Sequence, residues 1–308
     1  MTASSPARHA DARDGRFAPS PTGPLHLGSL RTALVAWLFA RSQPARFLVR
    51  IEDLDPQRSR PAHERGQLDD LRALGLHWDE PPVRQSERTP LYEDALARLE
   101  AQDRLYPCFC TRAEIREAAS APHGSVPEGA YPGTCRGLSE AQRAERRAAG
   151  RPFALRVHAE GERIEFDDRV RGCSGGVVDD FVVRRADGVP AYQLAVVVDD
   201  AAQGVREVVR GDDLVESTPR QILLARLLGL PVPRYAHVPL VFGADGARLA
   251  KRTRPPTLRD RDEPVSATLA LLAHSLGLAR DRDRVTGPAE LLDEFDPERL
   301  PREPVVLG

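Results

Sequence analysis

The sequence predicts an α/β protein built around a doubly wound parallel sheet, and two observations carry that prediction. A short apolar opening, Arg16-Phe17-Ala18, runs through Pro19-Ser20-Pro21-Thr22-Gly23-Pro24 into His26-Leu27-Gly28-Ser29, after which Leu30, Ala33, Leu34, Trp37 and Leu38 recur at helical spacing. Residues 45–51, ARFLVRI, then read as a buried strand ending in Glu52-Asp53-Leu54-Asp55. Strand, turn, helix and strand make a βαβ unit, the building block of parallel sheets. Ligands of such sheets bind beyond the carboxyl ends of the strands, where both the 16–31 turn and the acidic strand end lie.

The prolines and glycine of the turn preset its backbone. A helix starting near Gly28 would offer free backbone N–H groups, and with an imidazole and a hydroxyl beside them these suit phosphate oxygens. Glu52, at the end of its strand, is suited to hold an ammonium group or to help a metal–phosphate site, although acidic strand ends are also common solvated loops. Residues 61–75 and 89–103 read as helices, and the charge density of 138–150 predicts an exposed one. Residues 153–157, 164–167 and 177–184 read as short strands of a small β-containing insertion.

The pattern PAYQLAVVVDD at 190–200 is expected as a strand, and so is 205–209, which runs into Arg210-Gly211-Asp212-Asp213. Ser217 or Thr218 is expected to cap a helix over 219–228 that Gly229 ends. Residues 237–242 read as the last buried strand, feeding a glycine-containing loop over 243–252. Beyond it, 265–276 reads as a helix, followed by an acidic, Pro-containing end.

The composition, 41% hydrophobic and 29% charged over 308 residues, is that of an ordinary globular protein with a large core and one or two additions. No apolar run approaches a membrane span, and residues 1–15 are polar without an apolar signal core, so a disordered leader and a cytoplasmic location are expected; a monomer is expected too, although no feature of the sequence fixes the oligomeric state. A net charge of −2 excludes a global field that would draw nucleic acid. Three of the 4 cysteines, Cys108, Cys110 and Cys135, cluster in sequence and point to structural zinc, with Tyr131 and His123 both available as a fourth ligand. Cys173 stands apart and reads as a small packing residue. Of 44 Lys plus Arg only Lys251 is lysine, which marks it for chemistry that a planar guanidinium performs badly.

Together these pieces resemble the catalytic half of the class I aminoacyl-tRNA synthetases, specifically the glutamyl type. PSPTGPLHLGS resembles that family's HIGH region, with His26 and Gly28 at the matching places and Ser29 replacing the last histidine. Arg248-Leu249-Ala250-Lys251-Arg252 resembles a degenerate KMSKS loop in which Lys251 matches the second lysine; RFLVRIEDLD and PAYQLAVVVDD resemble strands of the glutamyl enzymes. The match runs from Arg16 to about Pro256, and the early stop at Gly308 resembles the truncated glutamyl-type branch that serves queuosine in the anticodon of tRNA(Asp). Val196, where glutamyl enzymes usually carry Asn, fits that branch and speaks against charging an ordinary acceptor end.

The resemblance implies a Rossmann-like catalytic domain from 16–95 and 189–260, a zinc-containing α+β insertion over 96–188, and a short helical C-terminal segment over 261–308 without an anticodon-binding domain. It implies ATP with Mg²⁺, L-glutamate and queuosine-containing tRNA(Asp) as substrates. Arg16, Ala18, Ser20, Glu52, Tyr192 and Arg210 would bind glutamate; His26, Gly28, Ser29 and Lys251 would bind ATP, with His26 and Lys251 acting in catalysis. Cys108, Cys110, Cys135 and Tyr131, preferred here to His123, would hold zinc. A minimal glutamyl-tRNA synthetase and an inactive RNA-binding paralogue, kept open by Arg248 and Ala250, are the competing readings.

Overall fold

The computed structural model describes residues 13–115, 131–243, 256–280 and 285–307. The chain opens with strand β1 (Gly15–Phe17), helix α1 (Leu27–Arg41) and strand β2 (Phe47–Ile51), the βαβ unit expected from the sequence, with β1 and β2 parallel. Helix α2 (Pro61–Ala73) leads to the short strand β3 (Val83–Arg84) and helix α3 (Thr89–Glu100). Strands β4 (Leu105–Cys108), β5 (Ala154–Val157) and β8 (Val182–Arg184) form a separate three-stranded sheet, and helix α4 (Glu140–Ala148) is inserted between the first two.

Strands β6 (Arg163–Asp168) and β7 (Gly172–Val177), also from the 96–188 segment, instead extend the main sheet. Its seven strands run β3-β2-β1-β9-β10-β6-β7, with β9 (Glu207–Gly211) and β10 (Arg234–Val238) parallel to β1 and only the β6–β7 hairpin antiparallel. From β1 the chain builds outward on one side through β2 and on the other through β9, so the strand order reverses between β1 and β9. That crevice is where open α/β sheets bind ligands.

Alternate residues of the central strands feed two different cores. Phe17, Val49, Val209, Ala236 and Val238 pack with α1 and α7 (Val265–Ser275) on one face. Leu48, Val208 and Tyr235 pack on the other with α3, α5 (Tyr192–Ala202) and α6 (Thr218–Leu227). The period of two places Arg16, Arg50, Arg210 and His237 on that second face too, all of them buried.

Three expectations need correction. PAYQLAVVVDD is not a strand: Tyr192–Ala202 is helix α5. All residues from Leu194 to Asp200 are buried, so no polar face interrupts the apolar run, and tertiary packing overrides the strand preference of three consecutive valines. The expected strand at 237–242 is broken at Pro239 and Leu240. Residues up to Val238 belong to β10, while β11 (Val241–Gly243) pairs with β12 (Val305–Leu307) in a two-stranded sheet, so β10 is not the last strand. Neither Ser217 nor Thr218 caps α6 through its side chain; a 3-10 segment, Asp212–Ser217, runs directly into that helix and Thr218 turns to Arg210.

Candidate active site at the sheet crevice

Beyond the carboxyl ends of β1, β9 and β10 lies an open cavity of about 550 Å³. Every described residue predicted for glutamate or ATP lines it: Arg16, Ala18, Ser20, Glu52, Tyr192 and Arg210, together with His26, Gly28 and Ser29. Lys251 and His123 lie outside the described residues. Both flanks of the segment carrying Lys251 reach this site, since Val241 lines the cavity, Pro256 accepts a hydrogen bond from the Leu27 amide at 3.1 Å, and Thr257 bridges to His26.

The opening turn is shaped by two groups that carry no chemistry of their own. The amide of Gln67, fully buried on α2, donates to the carbonyls of Ser20 (3.0 Å) and Gly23 (2.7 Å). The Arg60 amide donates to Pro21 O at 2.9 Å. His26 is the N-cap of α1: its Nδ1 accepts from the Ser29 amide at 3.1 Å, and Nε2 lies 3.0 Å from Ser29 Oγ. The helix start is therefore less open than its sequence suggests, because the imidazole and Pro256 O already take two of its first amides. Gly28 is needed beside the ring, as a Cβ there would stand 3.1 Å from His26 Nδ1.

Two acidic residues that the sequence reading left without a role organise the floor. Asp200 of α5 accepts from Arg16 Nε (3.1 Å) and Nη2 (3.3 Å), and from Arg50 Nη1 (2.6 Å). Asp199 accepts from Gln85 (2.8 Å), Arg88 Nε (2.6 Å) and the Tyr92 hydroxyl (2.8 Å). Burial pushes the Asp200 carboxyl up, but the two guanidinia outweigh it and hold it below the ordinary carboxylate range. The VVVDD ending marks them only as acids closing an apolar run and names none of their partners.

This network changes what Arg16 can offer. Its forked edge, Nε with Nη2, is committed to Asp200, and Nη1 donates to Val209 O at 3.4 Å. Arg210 differs: Nε donates to His237 at 3.0 Å and Nη2 to Thr218 Oγ1 at 2.8 Å, while Nη1 is buried and has no hydrogen-bond partner among the described residues. Glu52, after β2, receives one long bond from Arg50 Nη2 (3.4 Å); burial pushes its carboxyl up against the pull of Arg50 and Arg16. The cavity thus sets an under-neutralised carboxylate and the Arg210 guanidinium in one lining, a pairing that fits a ligand bearing both an ammonium and a carboxylate.

A second cavity of about 710 Å³ shares Ser20, Glu52 and Tyr192 with the first and extends to Cys108 and Cys110 of the three-stranded sheet. The sulfurs of Cys108, Cys110 and Cys135 all lie within 4.8 Å of one another and can hold a metal ion. The Tyr131 hydroxyl stands 3.4 Å from Cys108 Sγ and 3.9 Å from Cys110 Sγ, and it accepts from the Cys135 amide at 2.8 Å. Cys173 is exposed and remote in sequence from that group, so the packing role expected for it does not hold. Val196 is buried in the core of α5 and does not line either cavity.

Among the described residues no helix is long and apolar enough to cross a membrane. A family model for the class I tRNA synthetases (E and Q), catalytic domain, matches residues 14–300. The chain is 60% identical to the glutamyl-Q tRNA(Asp) synthetase of Nocardia farcinica, over 95% of this chain and 92% of that one. It is 53% identical to the protein of that name from Symbiobacterium thermophilum, over 94% of each. Among solved structures, a glutamate tRNA ligase from Elizabethkingia meningosepticum, in complex with its amino acid, superposes with a TM-score of 0.82 at 27% identity, covering 97% of this chain and 67% of that one. With its parallel sheet, its crevice site and a match over nearly its whole length, the chain belongs to the class I tRNA synthetases of the E and Q type, through their catalytic domain.

Proposed function

We propose that this protein activates L-glutamate with ATP and transfers it to the queuosine base in the anticodon of tRNA(Asp). The observation that carries the amino-acid half is the meeting, in one cavity, of the Glu52 carboxylate with the Arg210 guanidinium. The RNA half rests on the relatives named glutamyl-Q tRNA(Asp) synthetases, which match almost end to end.

Glutamate's α-carboxylate attacks the α-phosphorus of ATP, forming glutamyl-adenylate and releasing pyrophosphate. A hydroxyl of the queuosine cyclopentenediol then attacks the activated carbonyl, and AMP leaves. Neither step needs a protein nucleophile; positioning and charge stabilisation do the work. In this reading Glu52 holds the substrate ammonium and Arg210 a carboxylate. Arg16 contributes its positive charge from a plane that Asp200 fixes, and Ala18, Ser20 and Tyr192 complete the walls. His26, Gly28 and Ser29 meet the nucleotide, which arrives with Mg²⁺, and Lys251 neutralises the triphosphate. The second cavity is the route by which a nucleoside reaches the activated carbonyl, since Glu52 and Tyr192 belong to both.

The thiol cluster fits zinc. Tetrahedral zinc with Zn–S bonds of about 2.3 Å sets its sulfurs about 3.8 Å apart. Cys110 and Cys135 are 3.4 Å apart, and the Tyr131 hydroxyl, 3.4 Å from Cys108 Sγ and 3.9 Å from Cys110 Sγ, is the group near enough to serve as the fourth ligand in this reading. Bound there, zinc would brace the module that borders the second cavity.

The test uses labelled glutamate, ATP and tRNA(Asp) prepared with and without queuosine. Labelling confined to the queuosine-containing RNA is expected; equal labelling of both, or labelling of the acceptor end of tRNA(Glu), would sink the reading.

A further inference from the structure

A guanidinium on a flexible stem can take many orientations, so something must hold that of Arg210 at the cavity wall. Its partner on the neighbouring strand is His237, which stands directly opposite in the β9–β10 register and is fully buried. His237 Nε2 accepts from Arg210 Nε at 3.0 Å and lies 3.2 Å from Thr218 Oγ1. Its Nδ1 lies 2.6 Å from Asp168 Oδ2, at the end of β6. Asp168 also accepts from the backbone amides of His237, Val170 and Arg171.

The proton positions follow from the partners. Asp168 is held below the ordinary carboxylate range, despite burial, by His237 and by the amides of Arg171 and His237, so it only accepts. Nδ1 of His237 must then carry the proton. Arginine Nε only donates, so Nε2 must be bare. One polarity runs across three strands: Asp168 on β6, His237 on β10, Arg210 on β9. An imidazolium, or the other tautomer, would set N–H against N–H at the Arg210 contact. The charged groups facing His237 are Asp168, Arg210 and Asp212. Burial and Arg210 lower its basicity while the two carboxylates oppose them, and the ring stays neutral near pH 7.

We infer that His237 is a positioning residue for amino-acid binding: its bare Nε2, fixed by Asp168, clamps the Arg210 guanidinium in place at the wall of the cavity. Thr218 supplies the second point of the clamp by accepting from Nη2, and the Tyr235 ring lies under the guanidinium at 5.3 Å. The inference rests on the reading of the cavity as a glutamate site. A histidine that merely packed would leave glutamate binding indifferent to which of its nitrogens a replacement mimics.

The whole chain is assayed for glutamate-dependent ATP–pyrophosphate exchange, with thermal unfolding recorded for each variant. His237→Asn keeps a group at the Nδ1 position and removes the acceptor facing Arg210; His237→Gln places an amide oxygen where Nε2 stands. His237→Asn is expected to raise the glutamate KM roughly tenfold or more with kcat changed less than about threefold, and His237→Gln to recover most of that loss. If His237→Asn does not fold, Thr218→Val, which is isosteric and lacks the second acceptor, gives the same readout. An unchanged glutamate KM in a folded His237→Asn or Thr218→Val protein, or equal losses in the Asn and Gln variants, would overturn the inference alone. Absence of exchange in the unaltered protein would overturn the activity reading, and the inference with it.

Discussion

Arg16 and Arg210 are indistinguishable as letters, yet one spends its Nε–Nη2 edge on a carboxylate and the other spends it on an imidazole and a hydroxyl. The difference lies in Asp200, which takes the Nε–Nη2 edge of Arg16 and also pairs with Arg50 at 2.6 Å, all three side chains being nearly or wholly buried. Asp200→Asn leaves two buried guanidinia short of their counter-charge, and should lower unfolding free energy near pH 7 by about 3–5 kcal/mol in urea titrations. The pH dependence has a definite sign. The Asp200 carboxyl is depressed below its ordinary 3.8, so on acidification the unfolded chain takes up the proton first. The stabilisation is therefore complete above that value and lost as pH falls through the folded pKa, where the gap between Asn variant and unaltered protein should close. Glu52 and Arg210 were legible because each ends a strand in a recognisable motif. Asp200, Asp168 and His237 were not, because their meaning depends on partners up to 184 residues away.

Among the elements, α5 shows where periodicity stops informing. A helix buried on every side has no polar stripe, so Tyr192–Ala202 looked like a strand although its place in the chain was right. The three-stranded sheet shows the opposite case, since a Cys-x-Cys pair and a later Cys announced their meeting in sequence and the sulfurs do converge. Chelation should release about one zinc per chain and lower the melting temperature by about 5 °C or more. Because the cysteines border the second cavity and not the first, glutamate-dependent exchange should survive chelation better than RNA glutamylation does. Equal loss of both activities would remove the zinc module from any RNA-specific role.

At the scale of the whole molecule, the reversal of strand order between β1 and β9 creates the crevice, and the flanks of the Lys251 segment return to it at Val241 and Thr257. Lys251→Arg should keep the fold and glutamate binding while depressing exchange by about a hundredfold, because a planar guanidinium does not replace a compact ammonium on a triphosphate. Near-normal exchange would make the single lysine an accident of composition. The doubly wound architecture was readable from one βαβ unit. The membership of β6 and β7 in the main sheet was not, because no local pattern says which of two sheets an alternating strand will join. The two cores carry a consequence for how such a protein can change. Along β1, β2, β9 and β10 the parity of a residue separates its duties: Phe17, Val49, Val209 and Val238 fill one core, while Arg16, Arg50, Arg210 and His237 set the chemistry on the other face. Substitutions of the first parity cost stability, whereas those of the second, which also holds Leu48, Val208 and Tyr235, cost stability and activity together. Descendants of such a sheet can retune what they bind at the few second-parity positions that reach the crevice, and each change there must keep the second core packed.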